Sequence, residues 1–173
     1  MIVSGRGGIA LRGAMALMAA AACVALGLWA ARRLARREEM LNAWEGALLR
    51  MEGAVTHSGA GLRDVLKAGA RDELPVLGEL ALRLERTPAA GADALLSGLP
   101  WNPLLTDAER NALLECLRGL FSPTLTSQAQ AIAYAREQWA VFRRLGREAM
   151  DKNGRLYVNL GWLSGAALFI LLC

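Results

Sequence analysis

The sequence predicts an all-α fold: a compact bundle of about five or six helices whose first and last helices extend into N- and C-terminal transmembrane spans. Apolar residues recur at helical rather than alternating spacing, and 54% of the 173 residues are hydrophobic. Charge is confined to the middle, because all sixteen acids lie in residues 38–151 and only Arg6 and Arg12 of the twenty bases lie outside residues 32–155. This length fits one domain with membrane anchors.

Two uncharged stretches predict the spans. The first covers residues 13–31, "GAMALMAAAACVALGLWAA", and the second covers residues 156–173, "LYVNLGWLSGAALFILLC". As helices they would extend about 28 and 27 Å, close to the ~30 Å thickness of the hydrocarbon layer. Trp29, Tyr157 and Trp162 lie toward the ends of the stretches, as aromatic residues at membrane interfaces do. Residues 1–12 are then a short extracytoplasmic N-terminus.

Basic residues predict the orientation. Those that we assign to the membrane border are Arg32, Arg33, Arg36, Arg37, Lys152 and Arg155, and further arginines lead up to the second stretch (Arg136, Arg143, Arg144 and Arg147). Because basic residues beside a span hold that side in the cytoplasm, residues 32–155 are predicted to be a cytoplasmic helical bundle. The alternative is a cleaved signal peptide, with Arg6 and Arg12 as its basic region and "LWA" at its cleavage site.

Small residues in both stretches predict close helix packing. Ala19, Cys23, Gly27 and Ala31 recur every four residues in the first stretch, and Gly161 and Gly165 form a GxxxG motif in the second. Such rows let helix backbones approach closely in lipid. We predict that the two rows pack on each other or on the helices of a partner. The alternative is that Gly and Ala are simply abundant in these stretches.

The middle of the chain divides into helices in order. The first helix continues through a stripe of apolar residues (Leu34, Leu41, Trp44, Leu48, Met51 and Val55) and is ended by "HSGAG" at 57–61. A short helix over 62–70 follows, and Pro75 opens the next in its first turn. That helix turns Leu77, Leu80, Ala81 and Leu84 inward, and a short apolar piece covers 92–96.

The last two predicted helices have clearer signals. Thr106 and Glu109 form a capping box, which opens a helix with Leu113, Leu114, Leu117 and Leu120 inward. The final helix begins at about Thr126 and runs toward the second span. Its inward side contains Ile132, Ala135, Trp139, Phe142, Leu145 or Gly146, and Ala149. Asn153-Gly154 is the point where its pattern indicates a kink or a break.

Motifs for chemistry are missing from the sequence. It contains no P-loop, no G-x-S-x-G elbow and no cluster of histidine with carboxylates. Cys23, Cys116 and Cys173 form no motif, and the single histidine, His57, excludes a multi-histidine metal site. The bases form no concentrated patch, so nucleic acid is not an expected partner. We predict a scaffold without catalytic, cofactor or metal residues; a membrane-anchored enzyme and a tail-anchored secreted protein are the alternatives.

The order of segments resembles a known family. An apolar anchor precedes "ARRLARREEMLNAWEGALLRMEGAV", a helical middle follows, and the chain closes on "KNGRLYVNLGWLSGAALFILL". This resembles the stage III sporulation protein AB family of endospore-forming bacteria over nearly the whole chain. The most specific part of the resemblance is the segment 152–172, which contains "LGWLSG". Residues 48–66 also match, although "SGAGL" is glycine-rich where a threonine-proline-like turn is expected.

The resemblance implies a function. Such proteins are similar to the F-type platform subunits of type II secretion and type IV pilus machines, and belong to the channel complex that links the mother cell to the forespore and is required for endospore formation. The implied partners are the lipid bilayer, other channel subunits and a hexameric ATPase, stage III sporulation protein AA, docked by the cytoplasmic bundle; a homo-oligomer is compatible with this. The implied location is the mother-cell membrane surrounding the forespore. A generic platform subunit is the alternative, but such subunits usually carry a duplicated helical domain.

Overall fold

The fold is described by a computed structural model over residues 5–71 and 74–172. In these residues the chain forms six helices and no strand: α1 (Gly5–Ser58), α2 (Leu62–Gly69), α3 (Pro75–Arg86), α4 (Ala92–Leu96), α5 (Asp107–Leu120) and α6 (Leu125–Leu172). The prediction of an all-α fold is confirmed.

Two compact units divide the chain. Arg37–Leu145 forms the helical bundle, and Met1–Arg36 together with Gly146–Cys173 forms a second unit, which we call the apolar helix pair. Helices α1 and α6 contribute residues to both units. The bundle falls inside the segment 32–155 that the sequence predicts to be cytoplasmic.

Local signals set the helix ends. The Thr106 hydroxyl accepts a hydrogen bond from the Glu109 amide at 3.3 Å, and the Glu109 carboxylate accepts one from the Thr106 amide at 2.7 Å, which confirms the predicted capping box. Pro75 lies in the first turn of α3, also as predicted. After α1 ends at Ser58, Gly59 has φ +53°, a left-handed conformation that glycine adopts without strain.

The two long helices differ from expectation at particular points. Helix α1 already begins at Gly5, ahead of the predicted span. Helix α6 begins at Leu125 and remains helical through Asn153 and Gly154, so the sequence signal for a break does not interrupt it. Asn and Gly both have low helix propensity and together cost about 1–2 kcal/mol relative to alanine, which the surrounding turns of a long helix offset.

The bundle core takes one apolar face from each helix. Predicted core residues that are buried are Leu41, Trp44, Leu48, Met51, Val55, Leu77, Leu80, Ala81, Leu113, Leu117, Leu120, Ile132, Ala135 and Trp139. Leu84, Leu114 and Phe142 are partly buried against them. Leu145 is 57% exposed, so of the two residues considered for that position Gly146 is the more enclosed. Buried apolar residues that the stripes did not include are Met40, Ala47, Val65, Leu66, Leu74, Val76, Leu95, Leu96, Leu99 and Cys116.

Tryptophans join the first and last helices within the bundle. The ring of Trp44 lies 6.1 Å from that of Trp139 and 6.3 Å from that of Trp101, measured between centroids. The indole N–H of Trp139 donates to the carbonyl of Leu41 at 2.9 Å, which satisfies the polar atom of a ring that is 1% exposed. Outside this core, Arg136 pairs with Glu52 and Arg143 pairs with Glu45. Such half-exposed pairs contribute up to about 1 kcal/mol each.

Candidate functional site in the apolar helix pair

Large apolar side chains of the helix pair face outward. Those more than half exposed are Met15, Leu17, Met18, Leu26, Trp29, Leu156, Leu160, Trp162, Leu163 and Ile170. Soluble monomers rarely expose a continuous apolar surface of this extent. The surface is therefore of the kind that lipid or another apolar helix covers.

One helix of the described residues is long and apolar enough to cross a membrane. It is α1, whose stretch Leu17–Ser58 contains an 18-residue window of mean hydropathy 1.5 with none of the window buried. This indicates association with a membrane, although a signal sequence meets the same criterion. Helix α6 does not meet it within the described residues. Part of the second predicted span lies outside them, namely residue 173 and the side chains of residues 168, 169, 171 and 172.

The two helices of the pair approach each other through glycines. A Cβ atom added to Gly27 would lie 2.6 Å from the carbonyl oxygen of Tyr157 and 3.2 Å from the Cα of Gly161. One added to Gly161 would lie 3.2 Å from the carbonyl oxygen of Cys23. Because these neighbours are backbone atoms, they cannot yield as a flexible side chain would. Any larger residue at Gly27 would therefore push the two helices apart.

Four of the six predicted packing residues meet in this contact: Cys23, Gly27, Gly161 and Gly165. The nearest atom to a Cβ on Gly165 would be the carbonyl oxygen of Ala20, at 3.1 Å, and Val24 is also close. Ala19 and Ala31, the other two, are half-buried but are not among the nearest neighbours of these glycines.

The sequence pattern missed Ala20 and Val24. A row with strict four-residue spacing selects Ala19, whereas positions 20, 24 and 27 follow the mixed four- and three-residue spacing of helices that pack along a shared seam. That alternative spacing was the signal that could have found them. Polarity offers no guide here, since almost every residue of the stretch is small or apolar.

The predicted basic border divides between the two units. Arg32, Arg33, Arg36, Lys152 and Arg155 are exposed in the helix pair. The guanidinium of Arg33 lies 5.8 Å from the ring centroid of Trp29, within the range of a cation–π interaction.

Arg37, the sixth residue of the predicted border, belongs to the bundle. Its guanidinium donates to the carboxylate of Glu109 at 2.7 Å, and Glu109 is 1% exposed. Arg37 therefore has a structural partner, which the flanking-charge pattern did not indicate.

Reactive groups are sparse in the part of the chain that the structure describes. No group of three or more His, Cys, Asp or Glu residues there is placed to hold a metal ion. Burial raises the pKa of the Cys116 thiol to about 12, which makes it a poor nucleophile near neutral pH. His57 is exposed and shares a hydrogen bond with the hydroxyl of Thr56 at 2.8 Å. What the apolar helix pair offers is surfaces for packing and the charges of its exposed basic residues.

The bundle has an exposed apolar surface of its own on α6. Tyr134, Val141 and Leu145 are 58%, 57% and 57% exposed, and spacings of seven and four place them on one face of the helix. The buried face of α6 in the bundle, with Ile132, Ala135 and Trp139, lies roughly 120° away around the axis. We call Tyr134, Val141 and Leu145 the α6 stripe.

Together these features define an all-α protein with a helical bundle and an apolar helix pair, one helix of which is a candidate membrane span. A family model for stage III sporulation protein AB matches residues 12–173, and the chain belongs to this family. The resemblance seen in the sequence is confirmed, and with it a role in stage III of sporulation. Comparison with curated proteins and with solved structures gives no match.

Proposed function

We propose that the protein is a non-enzymatic platform subunit of the channel complex between mother cell and forespore. Family membership supports the sporulation role. The observation that carries the platform role is the helix pair, which packs through glycine while its large apolar side chains face outward. Such a surface is stable only when lipid or other membrane subunits cover it.

The proposed topology has two spans in the mother-cell membrane around the forespore, with residues 32–155 in the cytoplasm. Exposed Arg32, Arg33 and Arg36 on α1, and Lys152 and Arg155 on α6, support it, because basic residues remain on the cytoplasmic side. Transfer of these arginines across the bilayer would cost roughly 2.5–3.5 kcal/mol each. The N-terminal stretch is accordingly a retained anchor.

Reporter fusions test this topology. A fluorescent protein inserted in the loop near Gly91 should fluoresce, since it folds in the cytoplasm. Alkaline phosphatase, which is active only outside the cytoplasm, should be active at either terminus and inactive near Gly91. The reverse pattern would contradict the topology. The intact mass of the membrane-extracted protein distinguishes a retained anchor from a cleaved signal peptide, because cleavage would leave a chain that starts near Ala31.

The proposed partner of the bundle is a hexameric ATPase similar to stage III sporulation protein AA. The α6 stripe supports a docking role, because three large apolar side chains on one face are exposed without contributing to the core. Because each of these side chains is just over half exposed, its burial in an interface would contribute up to about 1.5 kcal/mol before the cost of association is subtracted.

Replacement of the α6 stripe tests the docking. With full-length protein in detergent, Tyr134→Ser, Val141→Ser and Leu145→Ser together should weaken ATPase binding at least tenfold, equivalent to about 1.4 kcal/mol. The control is Leu49→Ser with Leu82→Ser, since both leucines are 46% exposed on other helices. Equal effects of the two variants would assign docking to another surface. Failure of the unmodified protein to bind, even at low salt, would overturn the partnership.

A further inference from the structure

Two grooves on the apolar helix pair share a residue. One, of about 650 Å³, is lined by apolar and small residues that include Ala21, Ala25, Leu28 and Trp162. The other, of about 460 Å³, begins at the same Leu28 and ends among Arg32, Asp151 and Arg155. A path that is apolar along most of its length and charged at one end therefore follows the helix pair.

The length of this path matches one leaflet of a membrane. Ala21 and Arg32 are separated by eleven residues of helix α1, or about 16 Å at 1.5 Å per residue. Half of the ~30 Å hydrocarbon layer is about 15 Å. An acyl chain lying along Ala21, Ala25 and Leu28 would thus place its headgroup beside Arg32.

We propose that this groove binds one anionic phospholipid, an inference that rests on the membrane insertion proposed above. The phosphate lies between the guanidinium groups of Arg32 and Arg155, and an acyl chain fills the apolar part. Arginine suits this role because its planar donors match phosphate oxygens in pairs.

Charge complementarity selects a lipid over an apolar helix as the occupant. A helix laid along the whole path would cover Arg32 and Arg155 with apolar side chains, and removing guanidinium groups from water without a compensating partner is costly. Asp151 offsets one of the two positive charges at the same end. Its carboxylate repels a doubly charged phosphate and accepts hydrogen bonds from hydroxyl groups. The preferred ligand is therefore a singly charged phosphodiester with a hydroxyl-bearing headgroup, as in phosphatidylglycerol.

Lipid retention tests the proposal. Full-length protein is assembled in nanodiscs of phosphatidylcholine and phosphatidylglycerol at equal mole fraction, and the lipids that stay bound on release are identified by native mass spectrometry. The unmodified protein should retain one phosphatidylglycerol at least tenfold over phosphatidylcholine. Arg32→Gln with Arg155→Gln should abolish this preference. The matched control, Arg33→Gln with Arg36→Gln, removes the same charge from the same border at residues that do not line the groove, and should keep it.

Two further variants separate the parts of the site. Ala25→Trp fills the apolar groove without changing any charge and should also lose the retained lipid. In nanodiscs that contain phosphatidic acid and phosphatidylglycerol at equal mole fraction, Asp151→Asn should raise the retention of phosphatidic acid relative to the unmodified protein, and an unchanged ratio would contradict the role given to Asp151. Circular dichroism checks that each variant remains helical.

The contrary outcomes are distinct. If the groove variant and the control variant lose the preference for phosphatidylglycerol equally, general electrostatic attraction explains it and the proposed site is wrong. Insertion without any lipid preference would overturn the site while leaving the proposed membrane role intact. Failure of the unmodified protein to insert into nanodiscs would overturn both.

Discussion

At the scale of single residues, Glu109 connects two helices of the bundle. It is the one charged or polar residue that is buried among those the structure describes. One carboxylate oxygen accepts from Arg37 of α1 at 2.7 Å, and the other accepts from the Thr106 amide at 2.7 Å. The same side chain therefore caps α5 and holds α5 against α1.

Glu109→Gln should destabilise the bundle. Glutamine keeps an acceptor for the Thr106 amide but removes the charge that pairs with Arg37, so the free energy of unfolding should fall by about 2 kcal/mol. For a protein of this size the melting temperature should fall by about 4–8 °C, measured by circular dichroism in detergent. Asp107→Asn is the control, because its side chain is 90% exposed and its ion pair with Arg110, at 3.2 Å, is at the surface. Loss of such an exposed pair should cost less than about 1 kcal/mol. Equal melting temperatures of the Glu109→Gln and Asp107→Asn variants would show that the buried Arg37–Glu109 pair adds nothing to stability.

Cys116 should be unreactive while the bundle is folded. With its pKa raised to about 12 by burial, only about one thiol in ten thousand is ionised at pH 8. In a Cys23→Ser, Cys173→Ser background, iodoacetamide at pH 8 should modify Cys116 at least a hundredfold more slowly in folded than in denatured protein. Similar rates in the two states would place the thiol in solvent.

The same pKa shift gives stability a pH dependence. The unfolded thiol, with a pKa near 8.5, releases its proton before the folded one does. The contribution of the protonated Cys116 thiol to the free energy of unfolding is therefore fully present below about pH 8.5 and is lost as the pH rises toward 12. Cys116→Ala should remove this part of the fall in melting temperature, and an unchanged pH profile in that variant would contradict the assignment.

At the scale of elements, the contact between α1 and α6 in the apolar helix pair depends on the absence of side chains. Gly27 and Gly161 bring backbone to backbone, whereas a Cβ on Gly154 would meet nothing nearer than the Cγ of Met150 at 3.9 Å. Glycines of the same helix thus differ in how much a substitution disturbs the pair.

Gly27→Leu should separate the two helices. With spin labels at Met18→Cys and Leu163→Cys, both exposed positions, in a background otherwise free of cysteine, the interhelix distance should lengthen by at least about 2 Å, because the leucine side chain needs room that backbone atoms now occupy. Gly154→Ala should leave the distance unchanged. An unaltered distance in Gly27→Leu would mean that the pair does not rely on this contact.

At the scale of the whole molecule, the bundle is closed by contacts between distant parts of the chain. Trp139 bonds to Leu41 across 98 positions of sequence, and Arg136 pairs with Glu52 across 84. Without the N-terminal part of α6, the rings and leucines of α1 would lose the surface that buries them. The bundle should therefore need α6 in order to fold.

Two truncations test this requirement. A chain that ends at Thr124 lacks α6 and should be digested by trypsin at least tenfold faster, in detergent, than the full protein. A chain that ends at Leu145 keeps every residue of the bundle and should resist digestion over residues 37–145 as the full protein does. Equal resistance of the two truncated chains would show that α6 is dispensable for the bundle.

Most helices and most of the core could be predicted from the sequence, because both depend on residues a few positions apart. The spacing of Leu41, Leu48 and Met51 identifies a buried face of α1, and the Thr106–Glu109 box identifies the start of α5 without reference to any other helix. The uncharged ends were equally evident, since the distribution of charge requires no knowledge of contacts.

Only the tertiary structure decided which residues meet across the chain. Arg37 was grouped with the border arginines, but its partner Glu109 lies 72 positions away, and Arg136 likewise has its partner on α1. In the apolar stretches, Ala20 rather than Ala19 lies nearest to Gly165. Polarity contrast shows which face of a helix is buried. Where every face is apolar that contrast is lost, and the contact is chosen by how closely two backbones fit in space.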